Sequence, residues 1–267
     1  FRGTADAIYQ NLDLLRDIRP ENVLVFGSDH VYKMDVSLML ERHEDTQADL
    51  TVATIPVLRR EATAFGCVNV DESGRVIDFV EKPADPPAMP GQPDLTLVSM
   101  GNYIFRTPTL LDELRRNARL ESTSHDFGKD ILATAHQRMN VVAYDFASQL
   151  CSGESEHARG YWRDVGTLDA YFAASMDLVS IEPRLDLYND EWPIRGLQPL
   201  SGPAKFVFAD ATHGRVGTAQ DSIVGAGSIV SGALLQRSVA FHNVRLNSFS
   251  QVSECVLFPG VNVGRGA

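Results

Sequence analysis

Residues 219–267 read AQDSIVGAGSIVSGALLQRSVAFHNVRLNSFSQVSECVLFPGVNVGRGA. In this stretch single apolar residues recur at steps of six or five positions, and glycines and other small residues fill the intervals. The recurring residues are Ile223, Ile229, Leu234, Ala240, Leu246, Val252, Phe258 and Val263. A six-residue period with one inward-facing apolar residue per face is typical of a triangular parallel β-helix, so the sequence predicts such a helix here. The alternative interpretation is an irregular β-rich tail, because the repeats are imperfect.

The chain before this repeat has two further parts. Residues 183–218 contain aromatic residues and prolines, including Trp192-Pro193-Ile194-Arg195, and are predicted to be a linker. Residues 1–182 alternate helical and strand patterns, which predicts an α/β domain with a mixed, mainly parallel sheet. The runs Asn22–Gly27 and Leu50–Val57 are nearly all apolar, which is typical of strands covered on both faces.

Helical periodicity predicts the helices of this domain, and apolar or alternating runs bounded by turn residues predict its strands. The predicted helices are Thr4–Arg19, with Thr4 as its cap, Asp35–Gln47, Pro108–Asn117, Phe127–Arg138 and Thr167–Val179. The predicted strands are Asn22–Gly27, Leu50–Val57, Phe65–Val70, Arg75–Val80, Val98–Phe105 and Val141–Phe146. The stretch Pro83–Pro93 is rich in proline and is predicted to be a loop.

The composition limits the classes of partner. The 267 residues carry a formal net charge of −11, which argues against nucleic acid because phosphate backbones need clustered Lys and Arg. A few local basic residues can still bind an anionic small molecule. Three cysteines lie far apart without zinc or disulfide spacing, so we expect reduced thiols and a cytoplasmic protein. No apolar run reaches membrane-spanning length, and no charged-then-apolar leader is recognised, so no membrane partner is expected.

Two aspartates at element boundaries are candidate metal ligands. Asp29 follows the strand Asn22–Gly27, and Asp164 lies between an aromatic pair and a Gly-Thr dipeptide. Ligands of open parallel sheets collect outside the carboxyl ends of strands, and Mg2+ prefers one or two carboxylates together with substrate phosphates. The alternative interpretation is that Asp29 only caps the following turn. Spacing alone does not show that the two carboxylates meet.

Further polar residues follow other predicted strands. Glu81 and Lys82 close a strand: Lys offers a compact charge for phosphate, and Glu accepts hydrogen bonds from sugar hydroxyls. The alternative for this pair is a surface ion pair. Ser99 and Tyr103 are spaced to face the same side of one strand. Asp126 is either a ligand-binding residue or the N-cap of the following helix.

The histidines carry no clear catalytic pattern. We interpret His30, His43 and His136 as surface residues. No Ser-His-Asp arrangement, zinc-ligand spacing or dinucleotide fingerprint is present, so hydrolase and dehydrogenase functions lack support.

Seven short segments in this order carry a family resemblance: Gly3-Thr4-Ala5-Asp6-Ala7, Ser28-Asp29-His30-Val31-Tyr32, Ala64-Phe65-Gly66, Phe79-Val80-Glu81-Lys82-Pro83, Ser99-Met100-Gly101, His125-Asp126-Phe127-Gly128 and Tyr161-Trp162-Arg163-Asp164-Val165-Gly166-Thr167. Together they closely resemble the bacterial glucose-1-phosphate adenylyltransferases, or ADP-glucose pyrophosphorylases. The first and fourth segments occur across sugar-nucleotide pyrophosphorylases, whereas the last two favour the ADP-glucose branch. Trp192–Arg195 and Pro203–Phe206 also resemble that family's linker.

The resemblance implies a fold, a reaction and a set of site residues. The fold is a Rossmann-like nucleotidyltransferase domain over residues 1–182, a linker over 183–218 and a left-handed parallel β-helix over 219–267. The reaction joins ATP and glucose 1-phosphate, with Mg2+, into ADP-glucose and pyrophosphate for glycogen or another α-glucan, in an allosteric homotetramer. The implied residues are Asp29 and Asp164 for the metal, Lys82 for the phosphate of glucose 1-phosphate, Gly66, Glu81, Ser99, Tyr103 and Asp126 for the sugar, Gly3, Thr4 and Ala5 for the nucleotide, and Trp162 as a support for Asp164.

Three departures accompany the resemblance. The family's glycine-rich phosphate-binding loop would precede residue 1, and the β-helix would continue past residue 267. We therefore expect these residues to belong to a longer enzyme and to be inactive alone. Phe1 stands where family members usually carry a Tyr that contacts the sugar phosphate.

Three other functions stay open. The first is the same reaction with another nucleotide and sugar phosphate as substrates, such as dTTP with glucose 1-phosphate or GTP with mannose 1-phosphate. The second is a non-catalytic regulatory subunit, which is disfavoured by the presence of Asp29, Glu81, Lys82 and Asp164. The third is a β-helix acyltransferase, which would need a longer helix with a catalytic histidine, whereas His242 is isolated.

Overall fold

The computed structural model of the protein describes residues 1–196 and 200–267. Residues 197–199, which fall in the predicted linker, lie outside the described residues. The chain divides into two compact units. The first unit is Phe1–Ser28 with Met34–Gln149, and the second unit is Asp29–Lys33 with Leu150–Ala267. The domain boundaries at residues 182 and 218 stay predictions, because a division into compact units does not test where one sequence domain ends and the next begins.

Helices and strands are numbered in chain order within the described residues. The helices are α1 (Thr4–Tyr9), α2 (Leu12–Ile18), α3 (Val36–Asp45), α4 (Thr107–Ala118), α5 (Ala133–Ala135) and α6 (Leu168–Asp177). The strands before the β-helix are β1 (Asn22–Phe26), β2 (His30–Tyr32), β3 (Leu50–Leu58), β4 (Gly66–Val70), β5 (Val76–Glu81), β6 (Leu95–Arg106), β7 (Val141–Asp145) and β8 (Trp162–Asp164). In the described part of the chain, no helix combines the length and apolar character that a membrane crossing requires.

The first unit is built on a mixed sheet, as predicted. Its long strand β6 pairs with β3 along one edge and with β4 and β1 along the other. The sheet is less parallel than expected: of the strand pairs described within it, only β3 and β7 pair in parallel. One reason is that β4 and β5 are joined by a short turn, and a short turn can only join antiparallel strands.

Strand β1 differs from the prediction of a strand covered on both faces. Leu24 is 44% exposed and Phe26 is 38% exposed, whereas Val23 and Val25 pack against the core. Successive side chains point to opposite faces, so only one face of β1 contributes to the core of the described residues. Strand β3, by contrast, is buried over Leu50–Ile55, as predicted.

The first predicted helix, Thr4–Arg19, is two helices, α1 and α2. The Asn11 side chain donates a 2.8 Å hydrogen bond to a backbone carbonyl one turn earlier, and such local bonds compete with helical pairing. Thr4 is not the cap, because Gly3 precedes the first turn. The Thr4 hydroxyl instead accepts a 2.8 Å hydrogen bond from the backbone N–H of Phe127.

The other helices agree with the prediction within a few residues, and their caps explain where they begin. The Asp35 side chain accepts a hydrogen bond from the Ser37 backbone N–H (3.0 Å) at the start of α3. The Thr167 hydroxyl accepts one from the Ala170 N–H (3.2 Å) at the start of α6. A π-helical segment, Phe127–Leu132, leads into α5.

The core of the first unit includes a histidine. His43 is 1% exposed, and its Nδ1 lies 2.8 Å from the Thr51 hydroxyl. Burial lowers the pKa of His43, because the charged imidazolium is disfavoured away from water. The prediction of a surface histidine at this position is therefore wrong: α3 turns His43 towards β3.

The second unit contains the pair β2–β8, helix α6 and the β-helix. The β-helix strands are β9 (Lys205–Val207), β10 (Thr218–Gln220), β11 (Ile223–Val224), β12 (Ile229–Ser231), β13 (Leu234–Gln236), β14 (Val239–Ala240), β15 (Arg245–Leu246), β16 (Gln251–Ser253), β17 (Val256–Leu257) and β18 (Asn262–Val263). Each strand from β10 to β15 pairs in parallel with its counterpart one coil later, so that Thr218 lies opposite Leu234 and Leu234 opposite Gln251. This is the predicted left-handed parallel β-helix, and the irregular tail is excluded.

The corners of the β-helix repeat with the same coil length. Positive φ angles recur from coil to coil at two of the corners. The residues are Asp221, Arg237 and Glu254 (45°, 43° and 51°) at one corner and Gly227, Asn243 and Gly260 (75°, 58° and 75°) at another. Glycine and asparagine adopt this conformation at low cost, which explains the small residues between the apolar ones.

Half of the predicted inward-facing residues are displaced by one position. The predicted residues Ile223, Ile229, Leu234 and Phe258 are not part of the interior, which their neighbours Val224, Val230, Leu235 and Leu257 fill instead. Both members of each pair are apolar, so the pattern does not determine which one points inward. The backbone conformation at the corners determines which of the two residues points inward.

Candidate functional site

A bulge in β6 brings two predicted site residues together. The β3–β6 register shifts between Val52 and Thr54, and Gly101 has a φ of 77°, a conformation that suits glycine. The Ser99 hydroxyl lies 3.1 Å from the Tyr103 hydroxyl. The two side chains face the same side, as their spacing predicted, and the bulge brings them into contact.

Two carboxylates lie close to the Tyr103 phenol. Burial, together with the negative charges of Glu81 and Asp126, raises the pKa of Tyr103 to about 12 against the opposing effect of the Ser99 hydrogen bond. The phenol therefore stays protonated at neutral pH and can donate a hydrogen bond, while the carboxylates can only accept. We call Glu81, Ser99, Tyr103 and Asp126 the β6 cluster.

Gly66 leaves space for the Glu81 side chain. The two residues are opposite each other in the β4–β5 pair. A Cβ at position 66 would lie 2.6 Å from Phe79 Cζ and 2.9 Å from Glu81 Oε2, well inside van der Waals contact. Any larger residue at this position would displace the Glu81 carboxylate.

The segment Gly3–Ala5, predicted to contact the nucleotide, lies against the loop Ser124–Phe127. A Cβ at Gly3 would lie 2.4 Å from two carbonyl oxygens of that loop, so only glycine allows this approach. The Ala5 backbone N–H donates to the His125 carbonyl (2.9 Å). The same loop carries Asp126 of the β6 cluster, so the segment and the cluster are held by one loop.

Asp126 is an N-cap, as the alternative interpretation proposed. Its Oδ1 accepts a hydrogen bond from the Lys129 backbone N–H (3.0 Å), and its own N–H donates to Asp130 Oδ2 (2.8 Å). Capping uses one oxygen of the carboxylate. A ligand-binding role for Asp126, in addition to its structural role as a cap, stays a prediction.

Lys82 follows β5 in the left-handed region, with a φ of 50°. A non-glycine residue takes this conformation when its surroundings impose it, and here the Lys82 N–H donates to the Phe65 carbonyl (3.0 Å). Among the described residues, the ion pairs of the first unit join other side chains, so the alternative of a Glu81–Lys82 surface pair is wrong. The Lys82 side chain is exposed.

Asp29 and Asp164 meet in the second unit. Strands β2 and β8 pair with His30 opposite Asp164, and the Val165 N–H donates to the Asp29 carbonyl (2.9 Å). One ligand atom from each of Asp29, His30 and Asp164 lies within 4.8 Å of the other two. His30 was expected on the surface, but its side chain is only 12% exposed.

This donor set fits a divalent cation that also binds phosphate. Asp164 Oδ1 accepts a hydrogen bond from the Gly166 N–H (2.8 Å), which fixes the carboxylate. A Cβ at Gly166 would lie 3.0 Å from Asp164 Oδ1 and 3.3 Å from Asp29 Oδ2, so the glycine keeps the approach to both carboxylates open. The Asp29 side chain is 60% exposed, which leaves room for phosphate oxygens and water in the coordination shell.

Buried contacts hold the short strands that carry these aspartates. Lys33 Nζ lies 3.4 Å from Glu154 Oε1 and donates to the Asp186 carbonyl (2.7 Å), and the two charged side chains are 4% and 7% exposed. The Trp162 ring packs edge to face on His30, with 5.2 Å between ring centres. Sequence reasoning missed Lys33 and His30, because a single lysine or histidine beside a three-residue strand gives no local signal.

The structure thus contains two groups of predicted site residues. The β6 cluster, Gly66, Lys82 and Gly3–Ala5 belong to the first unit, and the two aspartates with Trp162 belong to the second. Convergence of Lys82 with both aspartates around one phosphate stays a prediction. Paired carboxylates suit a cation that neutralises phosphate charge, and hydrogen-bonding groups suit hydroxyls, which is the chemistry required of proteins that transfer phosphate-linked groups.

Two family models match the chain. A model described as nucleotidyl transferase matches residues 1–180, and one described as GlmU-like, C-terminal hexapeptide matches residues 202–267. The first covers more than half of the chain, so the chain belongs to the nucleotidyl transferase family. The second agrees with the β-helix.

Curated relatives named glucose-1-phosphate adenylyltransferase align with nearly the whole chain, which confirms the family resemblance. The relative from Anaeromyxobacter sp. (strain Fw109-5) is 51% identical over 266 residues, covering 99% of this chain and 65% of the relative. The relatives from Rhodopseudomonas palustris (strain TIE-1) and Granulibacter bethesdensis are 49% and 48% identical over 99% and 100% of this chain, and 62% and 63% of their own lengths. The chain therefore spans less than two thirds of these relatives.

Proposed function

We propose that the protein containing this chain is a glucose-1-phosphate adenylyltransferase that makes ADP-glucose and pyrophosphate from ATP and glucose 1-phosphate. A phosphate oxygen of glucose 1-phosphate attacks the α-phosphorus of ATP and forms a new phosphorus–oxygen bond. The bond from that phosphorus to the β-phosphate oxygen breaks, and pyrophosphate leaves. The observation that carries this proposal is 51% identity, over 99% of the chain, to a protein of that name. The product supplies glucosyl units for an α-glucan such as glycogen.

Asp29 and Asp164 are assigned to Mg2+. A bound cation neutralises charge on the phosphates, which is the main requirement of phosphoryl and nucleotidyl transfer. The assignment is supported by the approach of the two carboxylates within 4.8 Å and by the opening that Gly166 leaves beside them. Trp162 supports the pair through its contact with His30.

The β6 cluster is assigned to the glucose moiety. Glu81 and Asp126 accept hydrogen bonds from sugar hydroxyls, and the protonated Tyr103 phenol donates one. Lys82, exposed at the end of β5, binds the phosphate of glucose 1-phosphate as a compact positive charge. Gly66 keeps Glu81 in place rather than leaving an empty space for the sugar.

Gly3, Thr4 and Ala5 are assigned to the nucleotide. Their backbone is held by the loop Ser124–Phe127, so this part of the nucleotide site is fixed before substrate binds. A preformed surface of this kind lowers the ordering cost of binding.

We also propose that the protein is a homotetramer whose β-helix contributes subunit contacts. Phe206, Phe208 and Phe258 of the β-helix are 47%, 57% and 57% exposed. Exposed aromatic side chains of this size are typical of interfaces between chains. Light scattering on the full-length protein that contains these residues, called the full chain below, should give the mass of four subunits, and a monomer would contradict the proposal.

A substrate panel tests the function. The full chain should release pyrophosphate from ATP only when glucose 1-phosphate and Mg2+ are both present. Equal turnover with dTTP, or with GTP and mannose 1-phosphate, would support the related pyrophosphorylases instead. Sugar-nucleotide binding without turnover by the full chain would support the regulatory subunit.

A further inference from the structure

His125 joins two parts of the candidate site in the first unit. Its carbonyl accepts a 2.9 Å hydrogen bond from the Ala5 N–H, and it lies so close to Gly3 that a Cβ there has no room. The next residue, Asp126, belongs to the β6 cluster. The direction of the His125 backbone therefore affects the nucleotide segment and the sugar cluster together.

The His125 backbone has a conformation that residues with a side chain rarely adopt. Its φ angle is 51°, in the left-handed region. Such a residue stays in this region only when its surroundings impose it, and residues of this kind are concentrated at functional sites. On either side of it, the Ser124 hydroxyl and the Asp126 N–H donate to Asp130 Oδ2 (2.9 and 2.8 Å). The two neighbours of His125 are thus held independently of its own side chain.

The side chain of His125 is anchored in the core. The residue is 4% exposed, and its Nδ1 lies 3.0 Å from Oδ1 of Asn117, which is 2% exposed on α4. The Asn117 Nδ2 is buried without a hydrogen-bond partner among residues 1–196 and 200–267. A buried polar group without a partner costs free energy, so an apolar residue at position 117 would suit packing alone better than this amide does. The contact with His125 is the feature that the amide supplies.

We infer that Asn117 and His125 are positioning residues whose buried contact holds the His125 backbone in its left-handed conformation and thereby sets Gly3–Ala5 and Asp126 for the two substrates. Because both side chains are buried, they act through the backbone and not by contact with a substrate. This inference rests on the proposed function, which assigns Gly3–Ala5 to the nucleotide and the β6 cluster to the glucose moiety. It adds the pair of residues that places those two parts relative to each other.

Two substitutions of His125 separate an effect on the backbone from an effect on packing. His125→Ala removes the anchor and keeps a Cβ, which disfavours the left-handed region, whereas His125→Gly removes the anchor but adopts that region at low cost. In pyrophosphate release by the full chain, His125→Ala should raise KM for ATP and KM for glucose 1-phosphate at least about fivefold each. His125→Gly should keep both values within about twofold of the wild type, although it leaves the larger cavity.

A variant of the partner residue tests the contact itself. Asn117→Leu removes the acceptor and leaves His125 in place, so both KM values should rise as they do in His125→Ala. The double variant should show no further rise, because either substitution alone already breaks the contact. Gln47, an exposed residue with a φ of 49°, is the matched control, and neither Gln47→Ala nor Gln47→Gly should change KM. Denaturant titration establishes that each variant is folded under the assay conditions, and the two His125 variants decide the matter if Asn117→Leu is not.

The outcomes separate this inference from the proposed function. Equal increases of KM in His125→Ala and His125→Gly, unchanged values in both, or a rise for only one substrate would overturn the inference. The assignment of the β6 cluster would then still stand if Gly66→Ala raised KM for glucose 1-phosphate. A wild-type full chain that releases no pyrophosphate from ATP and glucose 1-phosphate would overturn the proposed function and, with it, the role given to this pair.

Discussion

Replacing Gly66 with alanine tests how closely the fold positions the Glu81 carboxylate. The new Cβ would lie 2.6 Å from Phe79 Cζ and 2.9 Å from Glu81 Oε2, whereas unstrained carbon contacts are about 3.5–4.0 Å. Phe79 is 5% exposed, and movement of Glu81 does not relieve the clash with its ring, so both the Phe79 ring and the Glu81 carboxylate must shift. A lost hydrogen bond to a charged group costs about 1.5–3 kcal/mol, which corresponds to about 10- to 150-fold in affinity.

The assay is pyrophosphate release by the full chain with each substrate varied in turn. KM for glucose 1-phosphate should rise by that factor, KM for ATP should change less than about twofold, and overpacking should lower the free energy of unfolding by about 1–3 kcal/mol. Gly196→Ala is the control, since a Cβ there meets nothing within 4 Å. An unchanged KM for glucose 1-phosphate in Gly66→Ala would refute the reasoning.

Three further predictions concern other side chains. Folding raises the pKa of Tyr103 to about 12 from its ordinary 10.0, so its contribution to stability is fully present below pH 10 and is lost as the pH rises through 12. Urea unfolding across this range should therefore show a smaller loss of stability in Tyr103→Phe, and identical losses would contradict the pKa. Lys33→Met leaves the Glu154 carboxylate buried without its partner and should lower the free energy of unfolding by about 3–5 kcal/mol. Adding Glu154→Leu should restore most of this loss in denaturant titrations, and a double variant no more stable than the single one would rule out the ion pair as the cause. Lys82→Ala should raise KM for glucose 1-phosphate at least about tenfold in the same kinetic assay. Lys205 is an exposed lysine of the β-helix, and Lys205→Ala should leave this KM unchanged. An equal effect of both substitutions would mean that only net charge matters.

Elements with strong local signals were predictable from the sequence. The buried run of β3, the hairpin of β4 and β5 and the coil repeat of the β-helix each have a period or a turn that few other structures share. Capping residues such as Asp35 and Thr167 stand at helix starts, where a side-chain oxygen can satisfy a free N–H.

Features that depend on single side-chain bonds or on distant partners were not predictable. The split between α1 and α2 falls at Asn11, whose side chain bonds a carbonyl four residues earlier, and the exposed face of β1 depends on what packs against it. In the β-helix, an Ile-Val or Leu-Leu pair satisfies the period with either residue inward, so the corner conformations decide between them.

The candidate site likewise has features that were predictable from the sequence and features that were not. The shared side of Ser99 and Tyr103 was predictable from their spacing on one strand, whereas their contact depends on the bulge at Gly101 and was not. The approach of Asp29 to Asp164 was not, because it depends on the pairing of two three-residue strands far apart in the sequence. The placement of His30 beside them depends on that pairing as well, so it was missed.

The central claim is that Asp29 and Asp164 bind one divalent cation together. Calorimetric titration of the full chain with Mg2+ tests it most directly, using Asp29→Asn, Asp164→Asn, the double variant and, as a control, Asp169→Asn on the exposed first turn of α6. We expect each single substitution at the pair to weaken Mg2+ binding at least about tenfold, the double variant to bind more weakly than either single but by less than the two losses combined, and the control to match the wild type. Unchanged Mg2+ affinity in either single variant of the pair would contradict the account.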